Sequence, residues 1–213
     1  MTARIVRIAI ASVFALLVAA AISWYINTQM GAGARQVIQV TPTSFDTLGG
    51  PFTLTDHTGA EVTDTDFHGQ YLMVYFGFTY CPDVCPTELS KMMQAVTLLP
   101  DDLAAQVTPV LVTIDPERDT PDALAQYVAL FGPTLVGLTG TTDQINQIAD
   151  DYNVYHARVE DEDDPDFYLM DHSVYTYLVG PDGRVRNVLT NRQTSEQFAD
   201  AIRQAVEADQ AGA

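Results

Sequence analysis

With 213 residues, 47% of them hydrophobic, the chain can bury a core of ordinary size, and global disorder is excluded. A net charge of −18 repels nucleic acid, which is not expected as a partner. Two cysteines, Cys81 and Cys85, are too few for a disulfide scaffold and point instead to redox cycling or metal binding.

In chain order, the first segment is Ile8–Ile26, which carries no charge. At about 1.5 Å per residue it spans roughly 28 Å, close to the hydrocarbon thickness of a bilayer. Trp24 and Tyr25 stand at its far end, and Arg4 and Arg7 precede it. The positive-inside rule then leaves the N-terminus in the cytoplasm and sends the acidic remainder across the membrane. Residues 1–34 are expected to form an uncleaved, single-pass membrane anchor. A signal peptide cut near Ala32-Gly33-Ala34 is the alternative. Both readings export the remainder to an oxidising compartment, where two close thiols do not stay reduced unaided.

Residues 35–50, rich in Thr, Gly and Gln, read as a linker, and residues 51–213 as one domain. Phe52–Thr55 alternates, Asp56-His57-Thr58-Gly59 supplies a turn, and Glu61–Thr63 returns, which makes a short hairpin. Tyr71–Gly77 (YLMVYFG) is a continuous apolar run suited to a strand buried on both faces. Thr87–Leu99 has helical spacing, with Thr87 as its cap. Pro109–Asp115 is a second buried strand, and Thr120-Pro121 opens a helix to Phe131. Leu135–Thr139 is a short strand, followed by a helix from Thr142 to about Tyr152. Val154–Val159 reads as an edge strand and Glu160–Asp171 as an acidic loop that is solvated rather than ion-binding. Ser173–Val179, the turn Pro181-Asp182-Gly183 and Arg184–Thr190 form a hairpin, and Thr194 to about Ala208 a closing helix. This order implies an α/β thioredoxin-like fold, a mixed sheet flanked by helices.

The segment that carries chemistry is Cys81-Pro82-Asp83-Val84-Cys85-Pro86, placed where a buried strand ends and a helix begins. Ligands bind at the carboxyl ends of strands in open α/β sheets, and helix N-termini stabilise thiolates. The C-x-x-x-C spacing is one residue longer than a thioredoxin-type redox pair. Residues i and i+4 share a helix face, leaving room for an ion between the sulfurs. Soft thiolates suit Cu(I), and an added imidazole also suits Cu(II). A simple disulfide or a metal-free redox pair remains the competing reading of the spacing. Of the four histidines, His57 reads as a solvated turn residue, His68 as surface or packing, and His156 as a structural strand residue. His172 precedes a strand that should neighbour the cysteine strand, so it is the candidate third ligand. A peroxidase on this fold would need an arginine near its reactive thiol, and none is close to Cys81 in sequence.

These residues resemble the Sco/SenC family, copper chaperones of cytochrome c oxidase assembly. The likeness runs from about Phe52 to Phe198. It includes Phe76-Gly77-Phe78-Thr79 before the cysteines, Val112–Thr120 (VTIDPERDT), Gly137–Gly140 (GLTG), Asp171-His172-Ser173 and Tyr177–Gly183 (YLVGPDG). The resemblance implies Cys81, Cys85 and His172 as ligands of one copper ion, Cu(I) or Cu(II), per chain. It implies delivery of that ion to the CuA centre of cytochrome c oxidase subunit II. The alternative within the family is a thiol–disulfide oxidoreductase, with Cys81 and Cys85 as redox-active thiols that keep the CuA-site cysteines reduced. A periplasmic copper donor or thiol reductase would be a further partner. The setting so implied is a bacterial inner membrane with the C-terminal domain in the periplasm. Asp171 is a candidate to support His172, whereas Asp115 and Asp119 read as capping or turn residues, with shaping of the neighbouring loop as the alternative.

Overall fold

A computed structural model describes residues 45, 47–160 and 168–212. The strands are β1 (Thr53–Asp56), β2 (Glu61–Thr63), β3 (Tyr71–Gly77), β4 (Val107–Thr113), β5 (Val136–Thr139), β6 (His156–Glu160), β7 (Tyr168–His172), β8 (Tyr175–Val179) and β9 (Val185–Thr190). The helices are α1 (Val84–Thr97), α2 (Asp101–Ala104), α3 (Pro121–Val128), α4 (Thr142–Asp151) and α5 (Ser195–Gly212).

Every residue of β3 is buried, which is why that segment is apolar without alternation. It lies inside a seven-stranded sheet of order β2-β1-β5-β4-β3-β8-β9. β3, β4 and β5 run parallel, joined through helices, while β1, β2, β8 and β9 add antiparallel edges. The architecture is the expected α/β thioredoxin-like one, and β8 does neighbour the cysteine strand β3. Phe76, Leu89, Met92, Leu111, Leu124, Ile148 and Phe198 fill the core between sheet and helices. At about 1.5–3 kcal/mol for each large apolar side chain fully buried, this packing is the main term holding the site's walls in place. α3 and α4 start as their sequences dictate, with Thr120 and Thr141 side chains accepting from Ala123 and Gln144 N–H groups.

Several boundaries differ from the sequence reading: β4 is Val107–Thr113 rather than Pro109–Asp115, α3 ends at Val128 rather than Phe131, and α5 runs to Gly212. α1 begins at Val84, not Thr87, so Cys85 is in its first turn. Pro86 is tolerated there because the first N–H groups of a helix have no intrahelical acceptor. Val154–Val159 is not an edge of the main sheet: β6 pairs only with β7, in a separate two-stranded sheet. The expected acidic loop ends earlier than Asp171, because Tyr168–His172 is strand β7. Residues 161–167 of that loop lie outside the described residues, as do the expected anchor over 1–34 and most of the 35–50 linker. The fold described here belongs to the unit Pro42–Ala213. Among the described residues no helix is long and apolar enough to cross a membrane.

Candidate metal site

The β3 strand ends at Gly77, and the loop after it delivers Cys81 to the start of α1. Asp119 fixes that loop. Its buried carboxylate accepts from the Thr79 N–H (3.0 Å), the Thr79 hydroxyl (2.6 Å) and the Thr113 hydroxyl (2.6 Å). Burial nevertheless holds the Asp119 carboxyl above its ordinary range, these bonds acting against it. Asp119 therefore ties the cysteine loop to the end of β4, which is loop-shaping rather than a plain capping or turn role.

Cys81 and Cys85 are free thiols. The Cys81 sulfur accepts the Cys85 N–H at 3.3 Å, so it occupies one of the unfilled donor positions at the N-terminus of α1. Cys85 is 0% exposed and Cys81 9%, while His172 is half-buried, so the solvent side of the site is formed by His172 and Cys81 rather than by Cys85. Gly77 makes room for the inner sulfur. A Cβ there would stand 2.8 Å from Tyr75 Cε1 and 3.0 Å from Cys85 Sγ.

His172 closes the site. Its Nε2 lies 3.7 Å from Cys85 Sγ, and its Nδ1 lies 2.9 Å from the Ser173 carbonyl. A carbonyl only accepts, so Nδ1 carries the proton and Nε2 is the nitrogen presented to the sulfurs. The ring stands edge-on to Tyr75 and Phe78, with centroids 6.2 and 6.0 Å away, which restrains its tilt. The donor atoms of Cys81, Cys85 and His172 all lie within 4.8 Å of one another. Two thiol sulfurs and an imidazole nitrogen so gathered fit a soft or borderline metal ion such as copper.

The two thiols differ in acidity. Cys81 is driven well below the ordinary thiol range, chiefly by the hydrogen bond from the Cys85 thiol. Burial opposes this, and bonds from the Cys85 and Asp83 N–H groups assist it. Cys85 is pushed up, because it donates to Cys81 and because it is buried. The metal-free pair therefore holds one thiolate, on Cys81, and one proton, on Cys85. Alkylation of the reduced protein by iodoacetamide should label Cys81 first. A thiol of ordinary pKa, about 8.5, loses reactivity close to 80-fold between pH 8 and pH 6. The Cys81 thiolate is lost only at far more acid pH, so its rate should change less than about threefold over that range. A normal thiol profile, read by mass spectrometry of the labelled peptide, would refute the assignment.

An arginine the sequence did not single out joins the parts. Arg118 donates through Nε to Asp115 and through Nη1 to the Tyr168 carbonyl at 3.0 Å. Its guanidinium lies over the Tyr168 ring at 3.5 Å and the Tyr80 ring at 4.5 Å. The Tyr168 hydroxyl donates to Asp115 at 2.8 Å. One planar cation so links the cysteine loop, the end of β4 and the β6–β7 hairpin that carries His172. An arginine therefore does reach the cysteine loop, although none is near Cys81 in sequence, but its Nε and Nη1 are engaged by Asp115 and the Tyr168 carbonyl.

The other candidates fall outside the donor group. His57 is not a solvated turn residue: it is half-buried, and its Nδ1 accepts the Gly137 N–H at 3.2 Å, fastening the β1–β2 turn to β5. His68 is exposed, 3.7 Å from Asp64. His156 stands opposite His172 in the β6–β7 ladder, its pKa lowered by burial. Asp171 is exposed, on the face of β7 opposite to His172, so the ring is oriented by the Ser173 carbonyl instead.

The SCO1/SenC family model matches residues 40–207. The chain belongs to the SCO1/SenC family. The human "Protein SCO1 homolog, mitochondrial" is 48% identical over 161 residues, covering 73% of this chain and 52% of its own. The bovine "Protein SCO2 homolog, mitochondrial" is 43% identical over 155 residues, covering 72% of this chain and 58% of its own. The chain thus spans about half the length of the curated relatives it matches. Among solved structures, Arabidopsis thaliana ScoI with copper bound superimposes with a TM-score of 0.71 at 36% identity, over 76% of this chain and 99% of that one. Bradyrhizobium japonicum ScoI with copper bound gives a TM-score of 0.68 at 37% identity, over 74% and 99%.

Proposed function

We propose that this SCO1/SenC protein is a membrane-anchored copper carrier, holding one copper ion per chain between Cys81, Cys85 and His172. The ion is cargo, delivered to the CuA centre of cytochrome c oxidase subunit II. One observation carries the reading: three donor atoms of copper-suited type converge within 4.8 Å although His172 is 87 residues from Cys85. Relatives of the same fold with copper bound support it. The mixed donor set suits both Cu(I) and Cu(II). Loading releases the proton that Cys85 holds, so binding is favoured by rising pH. The buried inner sulfur of Cys85 retains the ion, while Cys81 and the half-buried His172 offer the side on which a partner's ligand would exchange.

In this reading residues 1–34 anchor the protein in a bacterial inner membrane, 35–50 are a linker, and 51–213 form the periplasmic copper domain. The apolar Ile8–Ile26 run behind Arg4 and Arg7 supports the anchor and its orientation. The test uses the full chain, reduced and in detergent. One copper per chain is expected, with thiolate-to-copper charge-transfer absorption in the Cu(II) form. Substoichiometric copper without that absorption would defeat the reading.

A second reading is favoured by the thiolate–thiol pair itself. Cys81, already ionised beside the thiol of Cys85, is arranged to attack a partner's disulfide and be resolved by its neighbour. In that role the protein keeps the CuA-site cysteines reduced, and His172 is dispensable.

A further inference from the structure

One polar group beside the sulfurs has no part in either reading. Tyr75, in the middle of β3, is 0% exposed. Its hydroxyl donates to Cys85 Sγ at 3.7 Å, and its ring meets His172 edge-on at 6.2 Å. It therefore touches two of the three donors. A buried tyrosine hydroxyl needs a partner, and phenylalanine would fill the same core space without that need. The residue opposite Tyr75 in β8 is Thr176, whose own buried hydroxyl has no partner. The Tyr75 hydroxyl is turned to sulfur rather than to this neighbour. Gly77 permits the approach, since a Cβ there would strike both Tyr75 Cε1 and Cys85 Sγ.

We propose that Tyr75 is a positioning residue for the cargo, whose hydroxyl withdraws electron density from the Cys85 sulfur and biases the site toward Cu(I). The proposal rests on the copper reading of Cys81, Cys85 and His172. A hydrogen bond on a ligating sulfur weakens its donation to the metal. Cu(II) depends on that donation more than Cu(I) does, so the bond favours the reduced ion. It also raises the energy of sulfur-to-Cu(II) charge transfer, because that transition takes an electron from the sulfur.

The test compares the full-length protein with Tyr75→Phe, both reduced, in detergent, and titrated with Cu(II) or Cu(I). The readouts are stoichiometry, the charge-transfer band and the Cu(II)/Cu(I) potential. Tyr75→Phe should keep one copper per chain and move the band to longer wavelength. The preference for Cu(I) over Cu(II) should fall about tenfold, which for one electron is about 59 mV. Unchanged band and potential at full stoichiometry would overturn the tuning role and leave the copper reading standing. A missing thiolate-to-copper band in the unsubstituted protein would overturn the copper reading and this proposal together. Should Tyr75→Phe fail to fold, fluorotyrosine at position 75 supplies a more acidic donor of the same shape. It should shift the band to shorter wavelength, and no shift would overturn the proposal.

Discussion

His172→Ala should lower copper affinity by about 100-fold or more while leaving thiol–disulfide exchange within about threefold of its original rate. Removing partners that merely orient a metal ligand costs about 10–100-fold in affinity, and removing a ligand costs more. The imidazole is the donor a metal carrier needs and a pure reductase does not. Its loss leaves the sulfurs where β3 and α1 hold them, because Cys85 is fixed by core packing and Cys81 by the helix start. Competition titrations with a Cu(I) chelator, beside disulfide-exchange rates, separate the two roles. Retained tight binding would show that the imidazole is not a ligand. Loss of exchange together with binding would make His172 part of the redox machinery.

Arg118→Ala should destabilise the metal-free domain by about 3 kcal/mol, the cost of leaving a buried charge without its partner. Asp115 is that charge, with its side chain 3% exposed, and only the Tyr168 hydroxyl would remain as a side-chain partner. For a domain of this size the melting temperature should fall by about 6–12 °C. The same change removes the cation stacked between Tyr80 and Tyr168, which joins the cysteine loop to the His172 hairpin. Copper affinity should therefore fall as well, and by more than in a variant of equal instability elsewhere in the core. Arg118→Lys keeps the charge but loses the planar fork and the stacking, and should recover less than half of the stability. Thermal unfolding by circular dichroism decides it, and a loss below about 0.5 kcal/mol, the usual range for surface changes, would rule out the clamp.

Much of the fold was legible because its elements announce themselves locally. β3 reads as a doubly buried strand from seven consecutive apolar and aromatic residues and glycine. Thr120-Pro121 marks the start of α3, and Pro181-Asp182-Gly183 marks the β8–β9 turn. Of the β6–β7 hairpin, β6 reads as a strand over Val154–Val159, but β7 and their pairing were not legible. The two strands are short, half-exposed and separated by acidic residues that carry no strand pattern. The start of α1 was misplaced because Thr87 reads as a cap, whereas the helix already begins at Val84 and Pro86, in its first turn, has no hydrogen bond to lose.

Within the site, sequence alone placed Cys81 and Cys85 together where a buried strand gives way to a helix, but the shared helix face expected from their spacing is not formed, because Cys81 precedes the N-cap Asp83 and only Cys85 is helical. The order of strands further put the His172 segment next to β3. Tertiary structure alone decided the rest: that the Cys81 sulfur accepts an amide of α1, that Tyr75 and Gly77 shape the pocket of Cys85, and that Arg118 bridges three segments. Local pattern reports which face a residue occupies and how the chain turns. The direction and reach of a side chain toward a partner dozens of residues away depend on how sheets and helices pack, and that is settled only when the whole core closes.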